Sequence, residues 1–150
     1  MEHSALSVAL LRQRLVSLLT AMPAAQAGDE TSVHLARVAS RRLREALPVL
    51  GTRADATAVD RAGKRVRRIT RALGPVRELD VTLSLLDELD AKGGAPQRAL
   101  ARVRKAVLEE RQKRRRAMGK GAVFRLYVRN FVSELLHHRP KDTAHLDVRH

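Results

Sequence analysis

The 150-residue sequence contains no cysteine, which excludes disulfide bonds and thiolate chemistry and leaves the redox compartment open. Aromatic side chains are almost as scarce, since Phe124, Tyr127 and Phe131 are the whole set. The bases of single-stranded nucleic acid stack on aromatic side chains, so this scarcity weakens a single-strand-binding function. We expect the three clustered aromatic residues to pack in a core or in an interface between two copies of the chain.

Long apolar runs are also missing. No run approaches the 18 uninterrupted apolar residues of a membrane span, because Arg12 and Arg14 interrupt the N-terminal apolar segment. The residues before that segment carry Glu2 and neither lysine nor arginine, which is the wrong polarity for an export signal. The sequence therefore predicts a soluble, cytoplasmic protein with no membrane partner.

Acidic residues are too few to balance the basic ones. The chain has 30 Lys plus Arg against 16 Asp plus Glu, hence a net charge of +14, and its pI is near 11.5. Residues 31–77 hold 12 basic and 3 acidic residues, and residues 98–120 hold 10 and 2, whereas residues 78–97 hold 1 and 5. Charge of this kind favours a polyanionic partner, and its segregation indicates where that partner binds.

Apolar residues recur at helical spacing in six stripes, and no segment shows the alternation of a strand. Turn signals separate the stripes at Pro23, Gly51, the Gly74–Pro75 pair, the Gly93–Gly94 pair and Pro96. The pattern predicts an all-α protein, an antiparallel helical bundle of about six helices, with one domain over residues 1–137 and a tail over residues 138–150. The stripes are Val8, Leu11, Leu15, Leu18 and Met22; Leu35, Ala39, Leu43, Ala46 and Leu50; Val59, Ala62, Val66, Ile69 and Leu73; Val76, Leu79, Leu83 and Leu86; Leu100, Val103 and Val107; and Phe124, Val128, Phe131 and Leu135.

Basic residues follow the helical period in the second and third predicted helices. A helical projection puts His34 and three arginines on one exposed face of the second helix, and four cations opposite the apolar stripe of the third. Like charges so placed repel one another, so an external anion is the expected counter-charge. The fifth helix, with "EERQKRRR" at residues 109–116, is polar all round, so we expect it to project past the core and to add anion contacts. The cations of this predicted face are His34, Arg37, Arg41, Arg44, Lys64, Arg67, Arg68 and Arg71.

Two segments resemble the signature of the CHAD family, the conserved-histidine α-helical domain. The first is "VHLARVASRRLREALPVL", in which His34, Arg37, Val38, Arg41, Arg42, Leu43 and Arg44 match the pattern; the second is "LGPVRELDV", in which Leu73, Gly74, Arg77, Asp80 and Val81 match and Glu78 replaces the usual aspartate. The resemblance implies an all-helical module that binds inorganic polyphosphate through basic residues, often at polyphosphate granules. It adds Arg42 and Arg77 to the predicted binding residues. Family members usually continue through a second helical half, so we expect either a fragment or a homodimer.

Other functions remain as alternatives. Duplex nucleic acid would also attract a cation array, although no recognisable reading helix or nucleic-acid motif is present. A histidine phosphotransfer role for His34 is less favoured, because Val38 stands where such domains usually place a glycine. Arg77 and Asp80, three residues apart, are expected to pair with each other or to orient a neighbouring arginine. We predict no enzymatic activity and no cofactor, and no metal site at His137, His138, His145 and His150, which lack a recurring ligand spacing.

Overall fold

The computed structural model describes residues 2–50 and 56–119, which form four helices. They are α1 (Glu2–Ala27), α2 (Glu30–Leu50), α3 (Ala56–Lys92) and α4 (Gln97–Gly119). No strand occurs among these residues, so the all-α prediction is confirmed. The count of about six helices is not confirmed, and the predicted helix around Phe124 and the predicted tail over residues 138–150 lie outside the described residues.

The third and fourth predicted helices are one helix, α3, which runs through Gly74 and Pro75 without a break. Proline inside a helix removes a hydrogen bond and costs about 3 kcal/mol relative to alanine, which is why the pair predicted a boundary. Leu73 and Val76, on either side of the pair, are completely buried. Their packing in the core outweighs the local cost of the proline. Tertiary contacts therefore override the local signal at this point.

Other helix boundaries follow glycine more closely than proline. Pro23 lies inside α1, which continues to Ala27 and ends at Gly28 in the left-handed region, with φ of 95°. Gly93 and Gly94 also have positive φ, 72° and 87°, and they end α3 as predicted. The predicted start of a helix at Pro96 is confirmed by α4, whose Leu100 amide donates to the Pro96 carbonyl at 3.0 Å.

The hydrophobic core lies where α2 packs between α1 and the first half of α3. The predicted stripes of α1 and of the first half of α3 are confirmed, because their members from Leu11 to Met22 and from Ala62 to Leu73 are buried. The stripe predicted on α2 is partly wrong, since Leu35 is 53% exposed. The residues of α2 that are buried instead are Val33, Ala36, Ala39, Ser40, Leu43 and Leu47.

The second half of α3 and α4 form an antiparallel hairpin. Glu30, which begins α2, contacts Arg77, so α3 continues about 22 Å beyond that level, at 1.5 Å per residue. The first half of α4 packs on this extension, and the other end of α4 returns to the core, where Met118 is buried. The expectation that this helix projects past the core is therefore wrong, and two of its arginines, Arg111 and Arg115, contact other helices there, as described below.

Among the residues that the structure describes, one helix segment, Ala5–Ala27 of α1, is long and apolar enough to cross a membrane by length and composition alone. Part of that apolar character has another explanation in the fold. Leu11, Leu15, Leu18 and Met22 point into the core formed with α2 and α3.

Asp29 caps the N-terminus of α2 at the corner between α1 and α2. Its Oδ2 accepts hydrogen bonds from the Ser32 hydroxyl at 2.5 Å and from the Ser32 amide at 2.8 Å. These bonds to the ionised form lower the pKa of Asp29 below its ordinary value of 3.8. The ionised cap therefore stabilises the folded state above that pH, and the contribution is lost as the pH falls through the lowered pKa.

We predict that Asp29→Asn reduces the fall in Tm between pH 6 and pH 2.5, because asparagine keeps an accepting oxygen but does not titrate. Asp29→Ala, which removes the cap, should lower Tm already at pH 6. Thermal unfolding followed by far-UV circular dichroism measures both effects. An Asp29→Asn variant with the full wild-type pH dependence would contradict the role assigned to this carboxylate.

Candidate anion-binding face

A pair of hydroxyl groups fixes the contact between α2 and α3. The Thr70 hydroxyl donates to the Ser40 hydroxyl oxygen at 2.9 Å, and the Ser40 hydroxyl donates to the Arg37 carbonyl at 2.9 Å. Ser40 is completely buried. Thr70 lies opposite Ser40 and Arg77 opposite Glu30, so the two helices run antiparallel.

Four arginines surround this hydroxyl pair on the side away from the core. Successive residues of a helix are 100° apart around its axis. On α2, Arg37 lies about 60° from Ser40 and Arg44 about 40°. On α3, Arg67 lies about 60° from Thr70 and Arg71 about 100°. The antiparallel register brings Arg71 within about 3 Å of the level of Arg37 and Arg67 within about 2 Å of the level of Arg44. We call these four residues the arginine face.

Further cations continue this surface outward. His34 and Arg41 lie about 120° and about 100° around α2 from Ser40, in the same direction as Arg37, and both are exposed. On α3, Lys64 lies about 120° from Thr70 in the matching direction and is also exposed. Arg68 is exposed too, but it lies about 160° from Thr70, nearly opposite the contact with α2. Most of the predicted cations of the two helices therefore share one side of the α2–α3 pair, and Arg68 lies at its margin.

Arg42 is the exception among the predicted residues of α2. It is exposed, but it lies about 160° around the helix from Arg44. The structure therefore places Arg42 on a different surface from the arginine face. The family signature that suggested it does not distinguish residues on opposite sides of a helix.

Acidic partners are unevenly distributed among the predicted residues. Lys64 pairs with Asp60 at 2.9 Å, and this ammonium group lowers the pKa of Asp60. Arg77 pairs with Glu30 at 3.3 Å. Within residues 2–50 and 56–119, no acidic side chain lies within 4.0 Å of the cationic groups of the other eight, which are His34, Arg37, Arg41, Arg42, Arg44, Arg67, Arg68 and Arg71.

Arg37 carries a polar atom without a partner. Its side chain is partly buried, and its Nε is fully shielded yet donates no hydrogen bond to any described residue. A shielded donor that remains unpaired costs free energy, on the order of 1–3 kcal/mol. An anion oxygen could satisfy this donor only if the Arg37 side chain moved, because no outside atom reaches Nε in this conformation.

Asp80 and Arg111 form the ion pair that the sequence did not predict. Arg111 Nε donates to Asp80 Oδ1 at 2.5 Å, and Asp80 is only 2% exposed. The expected pairing of Arg77 with Asp80 is wrong, because Arg77 reaches across to Glu30 on α2. The other expectation, that Asp80 orients a neighbouring arginine, is met by Arg111 of α4.

The arginines near the end of α4 contact the corner between α1 and α2. Arg111 donates through its Nη2 to the Gly28 carbonyl at 2.7 Å, and Arg115 donates to the Ala27 carbonyl. These carbonyls end α1, which has no basic residue in its own last turn. The two guanidinium groups therefore stabilise the C-terminus of α1 and do not extend the arginine face.

We predict that Asp80→Asn destabilises the protein by about 3 kcal/mol, because it leaves the charge of Arg111 largely buried without its counter-ion. Urea unfolding measures the change. The matched control is Asp87→Asn, which breaks the contact of an exposed carboxylate with Arg104 in the same hairpin and should cost at most about 1 kcal/mol. Equal losses from the two substitutions would contradict the special role of the buried pair.

Comparison with known proteins identifies one family whose sequence pattern matches this chain. The sequence pattern of the CHAD domain matches residues 9–146, which is nearly the whole chain. Searches of curated proteins and of solved structures found no significant match.

Proposed function

Because the chain belongs to the CHAD domain family, which is linked to polyphosphate binding, we propose that it binds inorganic polyphosphate on the arginine face. The observation that carries the proposal is the convergence of Arg37, Arg44, Arg67 and Arg71 on one side of the α2–α3 contact. Among the described residues, no carboxylate lies within 4.0 Å of any of the four, although the charge of Arg67 also acts on Asp60, the partner of Lys64. The missing counter-charge is what a polyanion supplies.

Guanidinium groups suit this ligand. Arginine is always charged, and its planar array of donors can pair with two phosphate oxygens at once. Arg37 and Arg44 are about 10 Å apart along the axis of α2, and Arg67 and Arg71 are about 6 Å apart along the facing part of α3, at 1.5 Å per residue. A linear chain of phosphates lying along the helices would therefore meet cations from both sides.

We propose binding without catalysis. A guanidinium group does not give up its proton at neutral pH, so the arginine face offers charge and hydrogen-bond donors but no general base. His34 lies at its edge, and we assign it to anion binding in preference to phosphotransfer.

We also propose a cytoplasmic location at polyphosphate granules. Two-fold self-association stays a prediction, which light scattering at tens of micromolar tests.

Duplex nucleic acid is the alternative ligand, and the net charge of +14 is the observation that favours it. Matched titrations separate the two. At one salt concentration and equal phosphate concentration, long-chain polyphosphate should bind more tightly than duplex DNA. Tighter binding of DNA would replace polyphosphate with nucleic acid as the ligand.

We predict that Arg44→Gln and Arg67→Gln each weaken polyphosphate binding about tenfold, since each removes a charge-assisted hydrogen bond worth about 1.5 kcal/mol. Isothermal titration calorimetry measures the change. The control is Arg102→Gln, which removes the same charge from an exposed position on α4. If Arg102→Gln weakens binding as much as the other two, net charge is responsible and the arginine face is not the binding site.

His34 gives a separate prediction. Its exposed imidazole lies at the edge of the arginine face and can donate a hydrogen bond to a phosphate oxygen, so His34→Ala should weaken binding by up to about 1 kcal/mol, or about fivefold. Arg41→Ala, which removes a permanent charge, should weaken binding more, by about tenfold. Isothermal titration calorimetry tests both variants. A His34→Ala variant with wild-type affinity would show that His34 does not contact the ligand.

A further inference from the structure

The α3 extension, residues 78–92, carries an apolar stripe on the side that faces away from α4. Asp87 marks the side that faces α4, which it contacts through an ion pair. Val81, Leu85 and Leu89 lie about 120°, about 160° and about 200° around the helix from Asp87. Their exposed fractions are 41%, 52% and 49%. Apolar side chains that line up in this way are typical of an interaction surface.

One charged residue of each sign closes the stripe at its two ends. Glu78 lies seven residues before Leu85, about 180° around α3 from Asp87, and Lys92 lies seven residues after Leu85, about 140° from Asp87. Both are exposed, and neither makes an ion pair with another described residue. The order along the stripe is acidic, apolar and basic. The stripe is therefore complementary to a copy of itself that runs in the opposite direction.

The distribution of charge also favours this surface for pairing two copies. Two chains of net charge +14 repel each other, and this repulsion opposes contact through the basic helix faces. Residues 78–97 hold 1 basic and 5 acidic residues, unlike the rest of the described structure. The α3 extension is therefore the helical segment that two copies can bring together against the least repulsion.

We propose that two copies of the chain form a two-fold dimer through this stripe, with their α3 extensions packed antiparallel and Leu85 at the two-fold axis. In such an interface each residue meets the residue at the same distance on the other side of the axis. Leu85 then packs on the partner's Leu85, and Val81 packs on the partner's Leu89. Glu78 pairs with the partner's Lys92, and the same ion pair forms twice. From Glu78 to Lys92 the contact extends about 21 Å, at 1.5 Å per residue.

A single introduced thiol tests the two-fold axis, because the chain has no cysteine of its own. In the full chain, Leu85→Cys should form a cross-linked dimer under mild oxidation, since a residue at the axis lies next to its own counterpart. The control is Leu35→Cys on α2, because Leu35 is 53% exposed. It should run as a monomer on a non-reducing gel. Equal cross-linking of the two variants, or none of Leu85→Cys, would overturn the assignment of the axis.

Light scattering of the full chain between 5 and 200 μM tests the interface without a cross-link. Wild type should become dimeric over this range, and Leu85→Lys and Leu85→Glu should each associate at least about tenfold more weakly, because like charges then meet at the axis. An equimolar mixture of the two variants should form dimers again, because opposite charges meet there. A mixture no more dimeric than either variant alone would overturn the register.

A monomeric wild type at 200 μM would overturn the dimer itself. Labelling of Leu85→Cys with a maleimide then identifies what covers the stripe in its place. A monomer whose thiol resists labelling would show that another part of the same chain covers Leu85, and a monomer whose thiol reacts freely would show that the stripe is uncovered.

Discussion

The structure depends on where a small number of acidic side chains neutralise a large number of basic ones. The most buried of these contacts joins Asp80 to Arg111, and the same guanidinium reaches the Gly28 carbonyl. That arginine therefore holds α3, α4 and the corner between α1 and α2 together. Glu30 and Asp87 pair with Arg77 and Arg104 in the same part of the molecule. Acidic side chains are concentrated there, which leaves the α2–α3 surface with positive charge and few counter-ions.

The two segments that match the family pattern have different physical roles. The first supplies cations to a solvent-facing surface, including Arg37 and Arg44. The second supplies Arg77 and Asp80, whose partners are Glu30 and Arg111, so it acts mainly by positioning α2 and α4 against α3. The Ser40–Thr70 contact then fixes the register between the two rows of arginines. Anion binding therefore depends on where the helices lie as much as on which residues they carry.

Much of the fold could be predicted from apolar periodicity, and the failures have physical causes. The stripes of α1 and α3 were predictable because they follow one continuous face, and Gly93 and Gly94 mark the end of α3 through their positive φ. The Gly74–Pro75 pair led to the wrong prediction of a helix boundary, because local helix propensity does not take into account the burial of Leu73 and Val76.

The site could be predicted only in part. Helical projection from His34 identified the cations of α2 and α3, but the buried face of α2 is rotated toward Ser40, which a stripe drawn through Leu35 does not show. Arg111 was indistinguishable from its basic neighbours, because its partner Asp80 is 31 residues away in the chain. Which arginine of a basic run is neutralised depends on tertiary contacts that no local pattern contains.

The most direct test of the arginine face observes each guanidinium separately. Nuclear magnetic resonance of the arginine Nε–H groups in the full chain, assigned by single substitutions, reports which of them a polyphosphate chain contacts. We predict that the signals of Arg37, Arg44 and Arg67 shift at the first additions, while those of Arg102 and of Arg111, which is already paired, stay in place. Shifts of equal size at Arg102 and at the arginine face, or shifts confined to α4, would contradict the account.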